Sequence, residues 1–215
     1  MTVRLAVFDC DGTLVDSQAN ICRAMADAFA RSALQPPARE ATRRIVGLNL
    51  VEAMRVLAPE ADHHRLAHDY KAAFRHLRAS DALDDEPLFD GVAEAIEVLT
   101  EAGWTLGVAT GKSDRGLAHV LARHGLSDRF ATLQTADRHP SKPDPAMLLA
   151  AMAEAGALPH MTAMIGDTSF DMAMARAGGA RAVGVAWGYH AVAELVAAGA
   201  DAVATHAREL PAMLA

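Results

Sequence analysis

Apolar runs and helical patterns alternate along most of this chain. Short runs rich in β-forming residues predict buried strands at residues 3–8, 104–109, 130–133, 163–165, 182–187 and 202–204. Apolar residues with helical spacing predict helices at residues 92–102, 115–124, 145–155, 170–177 and 191–198. Strands that alternate with helices in this way favour an α/β fold, a doubly wound parallel sheet with helices on both faces.

A glycine follows each of these five helices. A residue in the left-handed region commonly ends a helix, and glycine adopts that conformation without steric cost. The pattern therefore supports the five predicted helices and places their ends at Gly103, Gly125, Gly156, Gly178 and Gly199.

Residues 16–85 interrupt the alternation. They keep helical spacing and contain no convincing strand, while Pro36-Pro37 and Pro59 separate the helices. The acidic stretch 81–87 suits a linker that returns the chain to the sheet. We therefore predict an all-helical cap domain, residues 16–85, inserted into a Rossmann-like core of residues 1–15 and 86–215. The cap would lie over the carboxyl edge of the sheet, where ligands of open α/β sheets bind.

Composition narrows the function. The 215 residues carry a net charge of −7 with no basic stripe, which argues against binding to nucleic acid or to an anionic membrane. Two cysteines are too few for a disulfide framework, and no stretch has the form of a membrane span or a signal peptide. We expect a cytoplasmic protein that acts on a small molecule, as a monomer or a homodimer.

Two acids stand at the end of the first predicted strand. Asp9 and Asp11 follow the apolar run 3–8, and Gly12 and Thr13 come next. Two carboxylates so close together at the end of a buried strand repel each other unless a cation lies between them. The pair therefore points to a metal ion and to different roles for the two acids. An Asp-Gly turn of a hairpin is the alternative interpretation.

Two later loops carry a lysine. The segment Thr110-Gly111-Lys112-Ser113 could cradle an anion with a hydroxyl and free backbone N–H groups, or could only cap the next helix. Lys142 precedes a proline at the start of a predicted helix, which would hold its ammonium in one place. Lysine occurs only at positions 71, 112 and 142, so two of the three lie in these loops, although chance also explains so small a number.

The loop after residues 163–165 repeats the pattern of the first loop. Asp167 ends an apolar strand as Asp9 does, and Asp171 follows near a helix start, where an acid is often only a cap. The carboxyl ends of parallel strands share one edge, so the loops should meet there. We expect five side chains at this point, those of Asp9, Asp11, Thr110, Lys142 and Asp167. Such an oxygen-rich site suits Mg²⁺ and a phosphoryl group.

These motifs resemble, in their order, those of the haloacid dehalogenase superfamily. The resemblance covers essentially the whole chain. It rests on Asp9 to Ser17 with its two acids, Thr110-Gly111, Lys142-Pro143, and Gly166-Asp167 with Asp171. Gly188-Tyr189 is similar to the phosphoglycolate phosphatase branch. The resemblance implies a Mg²⁺-dependent phosphatase that acts on a small phosphorylated metabolite.

The resemblance also implies catalytic roles. Asp9 would attack phosphorus as the nucleophile and form an aspartyl-phosphate. Asp11 would protonate the leaving oxygen and then accept a proton from the hydrolytic water, a role that contributes about 10²–10⁴-fold. Thr110 and Lys142 would hold the phosphoryl oxygens and neutralise their charge.

Binding roles follow from the same resemblance. Mg²⁺ would be bound by Asp9, by the backbone carbonyl of Asp11 and by Asp167, while Asp171 would orient the outer shell of the metal. Closure of the cap would exclude water and bring cap residues into contact with the organic part of the substrate, which they would select. Further substrate-binding residues would be Thr13, Gly111 and Lys112 in the core, and Arg44 and Asn49 in the cap.

Substrate identity depends on the cap. Arg43, Arg44, Gly47 and Asn49 lie between two predicted cap helices, where members of the superfamily often place specificity residues. The basic pair could meet a carboxylate such as that of 2-phosphoglycolate, which is the best single substrate. A solvated helix end that favours cations explains the pair equally well.

Other activities of the superfamily remain as alternatives. Relatives that act as dehalogenases lack the second acid, so Asp11 argues for phosphoryl transfer. Sugar-phosphate mutases carry a cap histidine and arginine where this chain has Ile21 and Leu50, and Lys71 is poorly placed for a phosphonate-cleaving Schiff base. A sugar-phosphate phosphatase, a pyrophosphatase, a phosphoglucomutase-like enzyme and a non-catalytic metabolite-binding protein are the other candidates.

Overall fold

A parallel sheet forms the centre of the molecule, for which a computed structural model describes residues 2–80 and 82–215. Its strands are β1 (Val3–Phe8), β2 (Thr105–Thr110), β3 (Thr132–Thr135), β4 (Ala157–Gly166), β5 (Arg181–Val185) and β6 (Ala202–Ala204). All neighbouring pairs are parallel, and the order across the sheet is β3-β2-β1-β4-β5-β6. The predicted α/β fold class is confirmed.

Helices connect the strands on both faces of the sheet. They are α1 (Gln18–Arg31), α2 (Arg39–Arg43), α3 (Leu50–Leu57), α4 (His63–Ala79), α5 (Val92–Glu101), α6 (Asp114–Arg123), α7 (Ala146–Ala155), α8 (Ser169–Ala177), α9 (Val192–Ala197) and α10 (Leu210–Leu214), with a 3₁₀ turn at Ala207–Glu209. The five helices predicted after residue 90 agree with the observed ones to within one residue at each end.

Strand β1 shows why the sheet is buried on both faces. Successive side chains of a strand point to opposite faces. Ala6 and Phe8 pack into one apolar cluster together with α5 and α6, while Leu5 and Val7 pack into the other with α7 and α8. All four side chains are almost fully buried. A continuous apolar run is therefore required at β1, and it brings Asp9 to the end of a strand that has no solvent-exposed face.

Strands β3 and β4 begin two or more residues from their predicted starts, and β3 and β5 end two residues from their predicted ends. Strand β3 begins at Thr132 rather than at residue 130, because Phe130 packs from the preceding loop onto Phe8, with ring centroids 6.3 Å apart. Strand β4 begins at Ala157 rather than at residue 163, with a register irregularity against β1. Leu158 and the two residues after it are exposed, so the early part of β4 carries no apolar pattern that would have revealed it.

Four of the five helix-ending glycines adopt the predicted left-handed conformation. They are Gly103, Gly125, Gly156 and Gly199, with φ values of 79°, 66°, 68° and 98°. The prediction is wrong at Gly178, whose φ is −82°. The next residue, Gly179, takes the left-handed conformation instead, with φ of 70°. Helix α8 thus keeps a right-handed residue at its end before the chain turns towards β5.

The segment between β1 and β2 begins with four helices, α1 to α4. These helices share an apolar cluster of their own, which includes Met25, Phe29, Met54 and Leu66. Helix α3 is capped by Asn49, whose Oδ1 accepts a hydrogen bond of 2.9 Å from the backbone N–H of Glu52. This segment, residues 16–80, which we call the helical segment, contains helices and no strand, as expected, while the division of the chain into a cap domain of residues 16–85 and a core stays a prediction.

No described helix is both long enough and apolar enough to cross a membrane. Cys10 and Cys22 are free thiols, the first buried and the second partly buried. The Cys10 side chain packs into the apolar cluster beside Phe8, so it acts as a small core residue.

Candidate active site

Two acids meet where the strand order of the sheet reverses. Asp9 follows β1 and Asp167 follows β4, and these two strands are hydrogen-bonded neighbours. The backbone N–H of Asp9 donates to the carbonyl of Ile165 over 2.9 Å, which continues the ladder to the last residue before the loop. The connections after β1 and β4 lead in opposite directions from this point, which leaves a crevice at the carboxyl edge.

Three carboxylates and one ammonium form a buried cluster there. Asp9, Asp167 and Asp171 each offer an oxygen within 4.8 Å of the others. Lys142 Nζ lies 3.0 Å from Asp9 Oδ1 and 2.7 Å from Asp171 Oδ1. All four side chains are at most 1 % exposed. When all four are ionised, the buried cluster carries an excess of negative charge away from water, which is costly without a further cation.

The hydrogen bonds of the buried cluster leave one oxygen free. Asp9 Oδ1 accepts from the backbone N–H of Cys10 over 2.7 Å. Asp167 accepts from the Thr13 hydroxyl over 2.9 Å and from the backbone N–H of Tyr189 over 2.8 Å. Asp9 Oδ2 is buried and has no partner among the described residues. The carboxylates of this group form an all-oxygen donor set that fits a hard divalent cation, and the unpartnered oxygen shows that Asp9 has bonding capacity left for a ligand.

The pKa values follow from burial and from crowding of like charges. Burial raises the pKa of Asp9 to about 7, against the opposing effect of Lys142, and the charge of Asp171 adds to the rise. Burial and the charges of Asp9 and Asp171 raise the pKa of Asp167 well above its usual range. Burial favours a lower pKa for Lys142, but Asp171 and Asp9 outweigh it and the pKa rises. The ammonium therefore stays charged, while the acids resist ionising together.

Three glycines make room for the buried cluster. A Cβ on Gly12, whose φ is +85°, would lie 2.2 Å from Asp167 Oδ2. One on Gly188 would lie 2.1 Å from the Asp167 Cβ, and one on Gly166 would lie 2.3 Å from the Asp171 Cγ. Sequence reasoning missed the packing role of Gly166 and Gly188. Gly166 stands next to Asp167 in the sequence, which was the available signal, although glycine is common in loops for other reasons, whereas Gly188 follows a different strand.

Asp11 points away from the buried cluster. Its Oδ1 accepts a short hydrogen bond from the Ser17 hydroxyl and lies 2.8 Å from Lys112 Nζ. Glu86 Oε2 lies 3.8 Å from the same ammonium. Asp11, Glu86 and Lys112, which we call the cavity cluster, line a cavity of about 510 Å³ between the sheet edge and the helical segment. Ser17 belongs to the first motif of the resemblance but had no role assigned to it, and Glu86 carried no sequence signal, because nothing in its spacing indicates a contact with this site.

The carboxylates that gather thus differ from the expected three. Asp171 takes the place of the Asp11 side chain beside Asp9 and Asp167. The chain turns at Gly12, and Ser17 and Lys112 hold the Asp11 carboxylate on the cavity side. The role expected for the Asp11 backbone carbonyl as a metal ligand stays a prediction.

The loop after β2 closes against the helical segment. Thr110 is fully buried, and its hydroxyl accepts a hydrogen bond of 3.2 Å from the backbone N–H of Lys112. A Cβ on Gly111 would lie 2.7 Å from the carbonyl oxygen of Leu48, so only glycine permits this approach. Ser113 accepts from the N–H of Gly116 and so caps α6, as the alternative interpretation of this loop proposed.

The two expected binding residues of the helical segment have different positions. Asn49 lines the cavity, and its backbone N–H donates to the Ser141 hydroxyl over 2.8 Å. Arg44 does not line the described cavity; its guanidinium pairs with Glu194 and its side chain is 53 % exposed. The structure therefore gives no support for Arg44 as a substrate-binding residue, because an acid of the core already holds its charge.

Comparison with known proteins agrees with this arrangement. The haloacid dehalogenase-like hydrolase family matches residues 6–185. A probable phosphatase, IndB, of Dickeya dadantii is 38 % identical over 202 residues, which cover 90 % of this chain and 86 % of that protein. A phosphoglycolate phosphatase of Agrobacterium fabrum is 32 % identical over 193 residues, which cover 86 % and 81 %.

Solved structures share the fold. A hydrolase from Pseudomonas syringae superposes with a TM-score of 0.85 at 27 % identity and covers 98 % of this chain and 97 % of its own. A haloacid dehalogenase-like family protein from Streptococcus pneumoniae has a TM-score of 0.86 at 21 % identity and covers 99 % of both chains, a likeness of fold alone. The predicted family and enzyme class are confirmed: the chain belongs to the haloacid dehalogenase-like hydrolases and is a phosphatase.

Proposed function

We propose that this protein hydrolyses a small phosphorylated metabolite with Mg²⁺ and that Asp9 is the nucleophile. The main support for this proposal is the position of Asp9. Lys142 and the Cys10 N–H hold one carboxylate oxygen, and the other oxygen has no partner among the described residues. A carboxylate that is fixed on one side and free on the other is preorganised to attack phosphorus.

Side chains of this protein account for the two steps of hydrolysis, which are formation of the aspartyl-phosphate and its breakdown by water. Asp9 attacks phosphorus, the ester P–O bond breaks, and Asp11 gives its proton to the leaving oxygen. Water then attacks the aspartyl-phosphate, Asp11 takes a proton from that water, and inorganic phosphate leaves with Asp9 restored. Lys142, fixed by Asp171, balances the charge of the phosphoryl oxygens, and Thr110 stands at the end of the neighbouring strand to bind them.

Mg²⁺ would be held by carboxylates of the buried cluster. Asp9 and Asp167 are the proposed ligands, with the Asp11 backbone carbonyl, and Asp171 lies within the same group of oxygens. The bound ion would neutralise the excess negative charge and polarise a phosphoryl oxygen. The raised pKa values of Asp9 and Asp167 support this assignment, because a nearby dication favours the charged forms of both acids.

The helical segment is the proposed cap. Residues 16–85 would form the cap domain, with residues 1–15 and 86–215 as the core. The apolar cluster within α1 to α4 supports this division, and Ile21 and Val46 pack against Tyr189 where the two parts meet. Since Asp9 is fully buried, the cap would have to open to admit the phosphoryl group and then close to exclude water.

The best single substrate is 2-phosphoglycolate. Relatives that cover most of this chain at 31–32 % identity bear the name phosphoglycolate phosphatase, which supports the proposal. A cytoplasmic location is also proposed and is supported by the two free cysteines. A monomer or a homodimer would suffice, because every proposed site residue comes from one chain.

Hydrolysis of p-nitrophenyl phosphate tests the function. We expect turnover with Mg²⁺ and none after treatment with EDTA, restored when Mg²⁺ is returned. A panel of phosphorylated metabolites ranked by kcat/KM then tests the substrate. Turnover that EDTA leaves unchanged would contradict the metal assignment, and a failure to hydrolyse any phosphate ester would contradict the function itself.

A further inference from the structure

Lys112 is the cation nearest to the proposed general acid. Its ammonium lies 2.8 Å from Asp11 Oδ1 and 3.8 Å from Glu86 Oε2, and its side chain is 12 % exposed. An ammonium carries three N–H donors, and only the Asp11 contact is as short as a hydrogen bond. Donors of Lys112 therefore remain for a ligand in the cavity that it lines.

The other cations that line the cavity do not contact Asp11. The cationic side chains that line it are those of Lys71, Arg75, Arg78, Lys112, Arg115 and Arg123. Across residues 2–80 and 82–215, only Lys112 has a nitrogen within 4.0 Å of an Asp11 carboxylate oxygen. Lys71 reaches Asp137 instead, and Arg123 reaches Asp85. Among the described residues, Lys112 is thus the one cation in direct contact with the proposed general acid.

We propose that Lys112 determines substrate specificity by binding a carboxylate on the carbon that bears the ester oxygen. This inference rests on the proposed function, in which Asp11 protonates the leaving oxygen. A general acid lies about 2.6–3.2 Å from the atom that it protonates. Lys112 Nζ would then be within two hydrogen-bond lengths of the leaving oxygen, where the carboxylate of a 2-phosphoglycolate-like ester lies. The substrate class is the phosphate monoesters of 2-hydroxy acids.

The surroundings of Lys112 prepare it for this role. Glu86 is itself held by the Asn20 amide, whose Nδ2 donates to Glu86 Oε1 over 2.9 Å. The backbone N–H of Lys112 is bound to Thr110, so the lysine is anchored at both ends. A charge that is positioned before the ligand arrives binds a carboxylate with little loss of side-chain entropy. Arg44, one of the two cap arginines considered for the carboxylate, is paired with Glu194 outside the cavity.

Two esters that differ at one substituent, which is charged in one and neutral in the other, test the proposal. The probes are 2-phosphoglycolate and 2-hydroxyethyl phosphate, in which a neutral hydroxymethyl group replaces the carboxylate. We expect Lys112→Met to lower kcat/KM for 2-phosphoglycolate roughly 30- to 100-fold more than for the neutral ester. Lys112→Arg, which keeps the charge, should retain part of the preference. Arg44→Met is the matched control and should change both values by less than about 3-fold.

The outcomes separate this proposal from the proposed function. Equal losses on both esters in Lys112→Met would overturn the specificity role, as would a preference that Arg44→Met abolishes. Wild-type protein that hydrolyses both esters equally well would refute the role of Lys112 and leave the phosphatase intact. Wild-type protein that hydrolyses no phosphate ester would refute the proposed function. If Lys112→Met fails to fold, Lys112→Gln, which keeps a polar group beside Asp11 and Glu86, must show the same selective loss.

Discussion

The buried cluster and the cavity cluster contain the two acids of one short loop, Asp9 and Asp11, in opposite environments. The buried cluster joins three carboxylates to one ammonium at the end of the sheet. The cavity cluster joins two carboxylates to one ammonium beside a cavity of about 510 Å³. Residues two positions apart thus face a dry interior and a space for substrate, which suits one for covalent chemistry and the other for proton transfer.

The difference in charge balance explains what each cluster can bind. The buried cluster has an excess of acids with little access to water, so a cation stabilises it strongly. The cavity cluster also has more acids than ammonium groups, but only Asp11 is within hydrogen-bond distance of Lys112 Nζ, and Lys112 lines the cavity, so an anionic substituent can approach that ammonium. Variants that act on one cluster and spare the other therefore test the division of roles.

The largest effect is expected from Asp9→Asn. An amide cannot act as the nucleophile, so kcat for p-nitrophenyl phosphate should fall at least about 10⁴-fold. The fold should survive, since the volume is unchanged and Lys142 keeps its ion pair with Asp171. Asp90→Asn makes the same chemical change at an exposed position and should retain full activity. Comparable turnover in the two variants would exclude Asp9 as the nucleophile.

A smaller loss is expected from Asp11→Asn. The variant keeps the nucleophile but cannot donate or accept the proton, so kcat should fall about 10²–10⁴-fold. The loss should be smaller with p-nitrophenyl phosphate than with an alkyl phosphate, because nitrophenolate needs little help to leave. Steady-state rates on both esters measure this contrast, and equal losses would contradict the role of Asp11 as a general acid.

The third and smallest effect is expected in thermal stability, as a stabilisation by Mg²⁺ that depends on pH. In the metal-free protein the pKa of Asp9 is raised to about 7 from 3.8. The contribution of Asp9 to the free energy of unfolding is therefore fully present below pH 3.8 and is lost as the pH rises through about 7. Added Mg²⁺ should reverse that loss, and the gain in Tm should grow from pH 5.5 to pH 8, reaching about 5–10 °C near 100 times Kd. Thermal melts with Mg²⁺ and with EDTA measure the gain. Asp9→Asn should flatten the pH dependence, and a gain that shrinks with rising pH would contradict the assignment.

Much of the fold could be predicted because its signals are local. The apolar run of β1, the helical spacing of α5 to α9 and most of their terminal glycines each follow from short-range sequence patterns. The exposed beginning of β4 carried no such pattern. The left-handed residue at Gly179 rather than Gly178 could not be distinguished, because both positions are glycine.

The candidate site could be predicted less completely. The loops meet as expected, because parallel strands share one edge. The direction of each side chain was beyond prediction, since it depends on single torsions such as the φ of +85° at Gly12 and on distant partners. Glu86 reaches Lys112 from the linker that follows the helical segment, and Glu194 holds Arg44 from a helix 150 residues away along the chain.

A calorimetric titration with Mg²⁺ tests the division between the two clusters most directly. Wild type, Asp11→Asn and Asp167→Asn should be titrated at the same pH, with thermal melts to confirm folding. The account predicts one bound Mg²⁺ in wild type and in Asp11→Asn, and affinity at least about 10-fold weaker in Asp167→Asn. Magnesium affinity that is lost in Asp11→Asn and retained in Asp167→Asn would contradict it.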